Sequence, residues 1–155
     1  MWMATKWQYI LLSPVGDGRA HEMIRITRED FDPAQILDEA RSKELGALVS
    51  FLGVVRDDGI QQMDLEAYEE VAEGDLTRIK DEAIARFGVL RVDIVHRVGM
   101  LAVGDNIVMI VVGAPHRKAA FQGCEFIIDR IKESVPIWKK EYTADGSRWV
   151  PGEHD

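Results

Sequence analysis

A chain of 155 residues is about one domain's worth, enough to bury roughly two-thirds of its unfolded surface around a single core. Hydrophobic residues at 46% and charged residues at 30% argue against long disorder or a fibrous chain, and no apolar run approaches the roughly 18 residues that a bilayer crossing needs. A net charge of -8 disfavours binding to nucleic acid or an anionic membrane surface, and a single cysteine, Cys124, excludes an internal disulfide and any multi-cysteine metal or redox motif.

Residues 1–10 lack the ordered basic, apolar and small-residue regions of a secretory signal, which predicts a cytoplasmic protein. Residues 8–13 and 22–27 read as short strands on either side of the Gly16-Asp17-Gly18 turn. Asp32 is placed to cap a first helix, with Pro33 in its first turn, Gln35 three residues after the cap, and Ile36, Leu37 and Ala40 as its apolar face. Residues 46–55 form a nearly continuous apolar run of strand length, and Met63, Leu65 and Ala67 alternate with Asp64 and Glu66 as a half-buried strand does. The polar loop Arg56-Asp57-Asp58-Gly59 lies between them. Val71, Leu76, Ile79, Ala83 and Phe87 predict a second helix that stops at Gly88. Leu90, Val92 and Ile94 then alternate with Arg91 and Asp93, and His96 shares the apolar parity. Gly104-Asp105-Asn106 turns the chain into a buried strand over 107–112. A third helix is predicted from Arg117 to Ser134, stopped by Pro136, and strands over 138–143 and 148–150 close around Asp145-Gly146. Strands paired between isolated helices predict an α+β fold rather than a doubly wound one, in one domain over 1–155.

The charge is unevenly spread. Ten acidic residues between 57 and 82 face only Arg78 and Lys80, whereas between 116 and 140 six Lys or Arg outnumber Glu125, Asp129 and Glu133. A local basic site on an acidic protein suits a small anionic ligand. At about 100° per residue, Phe121, Cys124, Ile128, Ile131 and Val135 define the core stripe of the third helix, which makes Cys124 a small buried hydrophobe rather than a nucleophile. Arg117 projects near the centre of that stripe and Lys132 about 60° from it. Snorkelling over the core accounts for either cation structurally; the functional reading is that His116 and Arg117 stand together at a helix N-terminus, where free amides favour an anion. Lys139 and Lys140 are consecutive on a strand and point to opposite faces, so one can enter a pocket while the other is solvated or pairs with Glu141. A lysine among other cations has its ammonium form disfavoured, which suits an acid, base or nucleophile. His96 reads as a hydrogen-bonded structural histidine, and His21 and His154 lie in a turn and a tail. No zinc-ligand spacing or Gly-rich phosphate loop occurs, so neither metal nor cofactor is expected. The residues alone lead to an anion-binding α+β domain and no further.

Six segments in order carry a resemblance: Gly46-Ala47-Leu48-Val49-Ser50-Phe51-Leu52-Gly53-Val54-Val55-Arg56, Leu65-Glu66-Ala67-Tyr68, His96-Arg97-Val98-Gly99, Pro115-His116-Arg117 with Ala120-Phe121, Val135-Pro136-Ile137-Trp138-Lys139-Lys140-Glu141, and Asp145-Gly146-Ser147-Arg148-Trp149-Val150. Over residues 46–150 the chain resembles the catalytic large subunit of molybdopterin synthase. The resemblance implies an α/β-hammerhead fold of the α+β class, with a mostly antiparallel sheet and about three helices. It implies a sulfurtransferase that converts cyclic pyranopterin monophosphate into molybdopterin, with sulfur carried as a thiocarboxylate on the C-terminal Gly-Gly of a small ubiquitin-like subunit. Two large subunits at the centre of a heterotetramer, a homodimer flanked by two carriers, complete the implied assembly. This chain ends Glu153-His154-Asp155 and so is expected not to be the carrier. By the same resemblance Lys132 and Lys139 are the catalytic lysines, Arg56, His116 and Arg117 hold the phosphate and orient the pterin, and Lys140 is a further substrate-binding cation. Lys132 is expected to meet the carrier's thiocarboxylate and Lys139 to supply a proton as the substrate ring opens. Arg117 and Lys132 are fifteen residues apart, or about 22 Å along one helix, which predicts a pocket completed by a second protomer. The rival readings are a non-catalytic pterin- or anion-binding module and a hydrolase with His116 as base.

Overall fold

The computed structural model describes residues 22–150, so the expected strand over 8–13, its turn, His21 and His154 lie outside the described residues. Among the described residues eight strands form two four-stranded sheets. The first sheet has the order β1-β4-β6-β2, with β1 at Ile24–Thr27, β2 at Ala47–Val54, β4 at Arg91–Arg97 and β6 at Asn106–Ala114. The second has the order β5-β3-β7-β8, with β3 at Gln62–Ala67, β5 at Gly99–Ala102, β7 at Ile137–Thr143 and β8 at Gly146–Val150. Only β1 and β4 pair in parallel. The three described helices are α1 at Pro33–Glu39, α2 at Glu69–Phe87 and α3 at Arg117–Ser134. The fold is α+β and mostly antiparallel, as expected, with three helices among the described residues and its strands divided between two sheets.

Local chemistry sets most of these boundaries. Asp32 caps α1, its carboxylate accepting from the amides of Ala34 at 3.0 Å and Gln35 at 3.4 Å. Gly88 closes α2 with φ 68°, a left-handed position natural to glycine, and its amide donates to the Ile84 carbonyl. The four-residue β5 is absent from the expected elements because, after Gly99, only Met100, Leu101 and Ala102 offer a pattern, too short to show a period.

One core joins both sheets to two helices. Val92, Ile94, Val108, Ile110 and Val112 of the first sheet pack with Met63, Leu65 and Leu101 of the second, beneath α2 and α3. The opposite face of the first sheet buries Val95, Met109 and Val111 against Phe31 and Ile36 beside α1. Strand β4 is therefore covered on both sides, and the alternation expected there does not hold. Arg91 and Asp93 are buried too, in a two-pronged ion pair of 2.8 and 3.1 Å, and Asp93 also accepts from the Met23 amide at 2.8 Å. Such a pair survives burial because nearly every polar atom finds a partner. Leu90 precedes the strand and is partly exposed, as is Val71 at the start of α2, whose buried face is Ala72, Asp75, Leu76, Ile79 and Ala83.

Helix α3 spans the expected residues but is rotated. Its buried face is Ala120, Gly123, Cys124, Ile127 and Ile131, while Phe121 is 62% exposed. This centres the face about 60° round from the expected stripe, so Arg117 is exposed rather than central. Close packing explains the shift. A Cβ on Gly123 would lie 3.0 Å from Val89 Cγ1 and 3.2 Å from Val112 Cγ1, so the small residues mark the line of closest approach.

Candidate active site

Antiparallel pairing between β2 and β6 divides the basic residues between two ends of the first sheet. Ala47 pairs with Ala114, and Val54 with Asn106. Pro115 and His116 follow β6 directly into α3, so His116 and Arg117 sit at the Ala47 end. A Cβ on Gly46 would collide with the Pro115 carbonyl, and the Gly46 amide donates to the Ala114 carbonyl at 3.1 Å, which draws the two segments together there. Arg56 follows the other end of β2, where Val55 exchanges backbone hydrogen bonds with Asp105 and Gly104. Nine residue steps of extended chain separate the two ends, about 30 Å.

Helix α3 turns back after two residues and packs on β6 and β2, so its last turn returns Lys132 to the Arg56 end. Lys139 arrives there as well, since it pairs with Leu65, Leu65 pairs with Gly99, and Gly99 follows directly beyond the end of β4, where His96 pairs with Val108 near the start of β6. The fold thus brings Arg56, Lys132 and Lys139 to one end and leaves His116 and Arg117 at the other. A depression of about 330 Å³ lined by Leu37, Arg41, Leu45, Gly46 and Ala47 adjoins the His116 end and not the lysine end.

Each end has the electrostatics of an anion site. His116 is the N-cap of α3 in extended conformation, with no side-chain hydrogen bond to the helix, and no acidic residue occupies the first turn. The positive end of an 18-residue helix therefore faces outward beside the exposed Arg117. At the other end, Arg56 is held within its own loop by Asp58, Nε to Oδ2 2.9 Å, and its side chain is largely exposed. Lys132 lies in the last turn of α3, where the helix dipole favours a cation.

Strand parity separates the two consecutive lysines. Lys139 stands across from Leu65, a core residue, on the inner face of the second sheet. Lys140 stands across from Asp64 and Trp149, with its ammonium 5.3 Å from the Trp149 ring and 5.5 Å from the Tyr142 ring. These cation–π contacts hold Lys140 on the outer face, away from Lys139. Glu141 shares the inner face with Lys139 and is buried, its Oε2 accepting from Arg148 Nε at 3.1 Å and Nη2 at 2.9 Å. Its carboxylate is thus engaged by Arg148. Glu141 is absent from the expected site, although its i+2 spacing from Lys139 on one strand is the signal that places it there.

Cys124 is buried, and desolvation pushes its thiol up to about 11. At neutral pH it stays protonated and cannot act as a thiolate. Cys124→Ala is expected to cost about 1 kcal/mol for the small cavity it leaves, measured by denaturant unfolding, while turnover of the folded enzyme is unchanged. Lost activity at unchanged stability would show that sulfur passes through this thiol.

The MoaE protein family model matches residues 26–134, and a molybdopterin synthase catalytic subunit from Pseudomonas aeruginosa is 44% identical over 135 residues, covering 83% of this chain and 90% of that one. The chain belongs to the molybdopterin synthase catalytic subunit family. Among solved structures, molybdopterin synthase from Staphylococcus aureus superposes with a TM-score of 0.79 at 38% identity, covering 84% of this chain and 98% of that chain. A protein–protein complex of subunits 1 and 2 of molybdopterin-converting factor from Helicobacter pylori matches with a TM-score of 0.70 at 26% identity, covering 81% and 88%. Membership in the molybdopterin synthase family makes this an enzyme subunit of molybdenum cofactor biosynthesis, in agreement with the six sequence segments. No described helix is long and apolar enough to cross a membrane.

Proposed function

We propose that this chain catalyses dithiolene formation on cyclic pyranopterin monophosphate at a site shared by two copies, with sulfur delivered by a small ubiquitin-like carrier in the cytoplasm. The observation that carries the reading is the gathering of Arg56, Lys132 and Lys139 at one end of a fold whose single thiol is buried and protonated. Sulfur therefore comes from another molecule, and the Helicobacter pylori neighbour is itself a two-subunit complex. Within the site, Lys132 meets the carrier's thiocarboxylate, Arg56 and the second protomer's His116 and Arg117 hold the phosphate, and Lys139 supplies a proton as the ring opens. The carrier's thiocarboxylate sulfur attacks a side-chain carbon of the pterin as that carbon's bond to oxygen breaks, the oxygen leaving with a proton from Lys139. Hydrolysis then cleaves the sulfur from the carrier's carbonyl carbon, and a second carrier repeats the exchange at the neighbouring carbon. In each hydrolysis water takes the sulfur's place on the carrier, which leaves as a carboxylate, and the cationic pocket stabilises the tetrahedral oxyanion on the way.

The first sheet supports the shared site. Among the described residues strand β2 is its edge, eight residues long, with Leu52 and Val54 41% and 48% exposed. An edge of that length is a ready template for another strand. Antiparallel pairing of β2 with its copy across a two-fold axis lays the His116 end of each protomer against the Arg56 end of the other, which closes two equivalent pockets.

Reconstitution with thiocarboxylated carrier and precursor tests the reading. Dithiolene is expected to form only with both present, and removal of the carrier's two terminal glycines is expected to weaken the complex markedly, because the tail's main-chain and terminal charge contacts are lost. Binding without turnover would instead mark a pterin-binding module, and turnover without carrier would mark a hydrolase.

A further inference from the structure

Arg148 is absent from the expected site, and the pairing of the last two strands sets it beside Lys139. It stands directly across from Glu141, while Val150 stands across from Lys139. Residues paired in this way share a face, so Arg148 lies on the inner face of the second sheet as the diagonal neighbour of Lys139, at about 7–8 Å. Two long cationic side chains at that separation can reach one small ligand. The cover over this face ends here. Four of the five residues of β8 are exposed, and the Arg148 side chain is 66% exposed against 12% for Glu141.

The guanidinium is held from one side. Nε and Nη2 both donate to Glu141 Oε2, at 3.1 and 2.9 Å, so the carboxylate takes the edge of the fork nearest the stem. Among the described residues Nη1 makes no hydrogen bond or ion pair, which leaves the outer end of the fork for a ligand. A buried carboxylate needs a donor, and that need alone accounts for the pairing. It does not account for the place. Glu141 stands across from Met63, a core residue, two residues along the strand from Lys139, where a leucine would extend the core with no charge to satisfy. A carboxylate there fixes a guanidinium at the open edge of the face that carries Lys139, and a donor fixed in advance loses less rotamer freedom when its ligand arrives.

We propose that Arg148 is a further anion-binding residue of the site, its guanidinium fixed by Glu141 and the outer end of its fork holding an oxyanion beside Lys139. The substrate phosphate and the carrier's terminal group both supply that chemistry, and a planar fork suits the paired oxygens of either. The inference rests on the reaction and on the role of Lys139 proposed above.

The test uses the full chain with thiocarboxylated carrier and the pterin precursor, and reads KM for the precursor and the dissociation constant of the carrier separately. Arg148→Gln alone strands the Glu141 charge and is expected to melt early. The deciding protein therefore carries Glu141→Gln and Arg148→Gln together, a neutral pair that can hydrogen-bond across the two strands. It is expected to melt close to the native chain and still to show one of the two constants raised about tenfold, the size of a lost hydrogen bond to a charged group, with kcat within about threefold of native. A raised KM identifies the phosphate as the ligand, and a raised carrier constant identifies its terminal group. Arg148→Lys, which keeps the ion pair and with it the fold but loses the fork, is expected to raise the same constant about threefold. Native values of both constants in either variant mark a purely structural pair and overturn the inference, as does a loss confined to kcat. A native chain that forms no dithiolene with carrier and precursor present overturns the proposed reaction instead.

Discussion

Lys139→Ala lowers dithiolene formation by about 10²- to 10⁴-fold, the range seen when a positioned proton donor is removed, with a nearly unchanged melting temperature. Lys139 faces inward from β7, opposite Leu65. Its hydrophobic contribution is the stem alone, so truncation leaves the Leu65 core in place. Lys132→Ala gives a comparable loss because its exposed position in the last turn of α3 has no packing role to confuse the result. Lys140 is the internal control. Its ammonium lies over Tyr142 and Trp149 on the other face of the strand, and Lys140→Ala is expected to cost about 0.5–1 kcal/mol of stability and little turnover. Single-turnover assays with preformed thiocarboxylate, run beside thermal melts, check all three. A dead Lys140→Ala and a silent Lys139→Ala would invert the face assignment.

Mixing Arg117→Ala protein with Lys132→Ala protein, each inactive alone, restores about a quarter of native activity. The fraction follows from symmetry. Random exchange makes about half of the dimers mixed, and each mixed dimer has one intact site and one doubly damaged site. The geometry demands this arrangement if all five residues serve one pocket, because β2 places Arg56 and the His116 end about 30 Å apart in one protomer and α3 separates Arg117 from Lys132 by about 22 Å. A small pterin spans neither gap. Subunit exchange followed by native mass spectrometry, with activity read on the same sample, decides the matter. A mixture that exchanges fully and stays dead removes the shared site. The same two variants also report on β2: a substitution such as Leu52→Lys, which sets like charges across a two-fold edge, is expected to favour monomer and to remove the restored activity with it.

Much of this was legible in the chain because its causes are local. Asp32 and Gly88 end their helices through contacts within four residues, Arg117–Ser134 shows its period, and strand alternation alone sends Lys139 and Lys140 to opposite faces. The six ordered segments place the chain in its family, and with it the reaction, without any knowledge of distance. The tertiary structure decided what depends on residues remote in sequence. Val89 and Val112 select Ala120 and Gly123 as the line of contact and turn α3 away from the face its large apolar residues suggest. Cover on both sides of β4 buries Arg91 with Asp93 despite a pattern that reads as half-exposed. Antiparallel pairing of β2 with β6 sends Arg56 and His116 to opposite ends, and the pairing of β7 with β3 and of β3 with β5 carries Lys139 to the end of β4. Periodicity registers which way a side chain points from its own element, but only packing between elements determines what it points at.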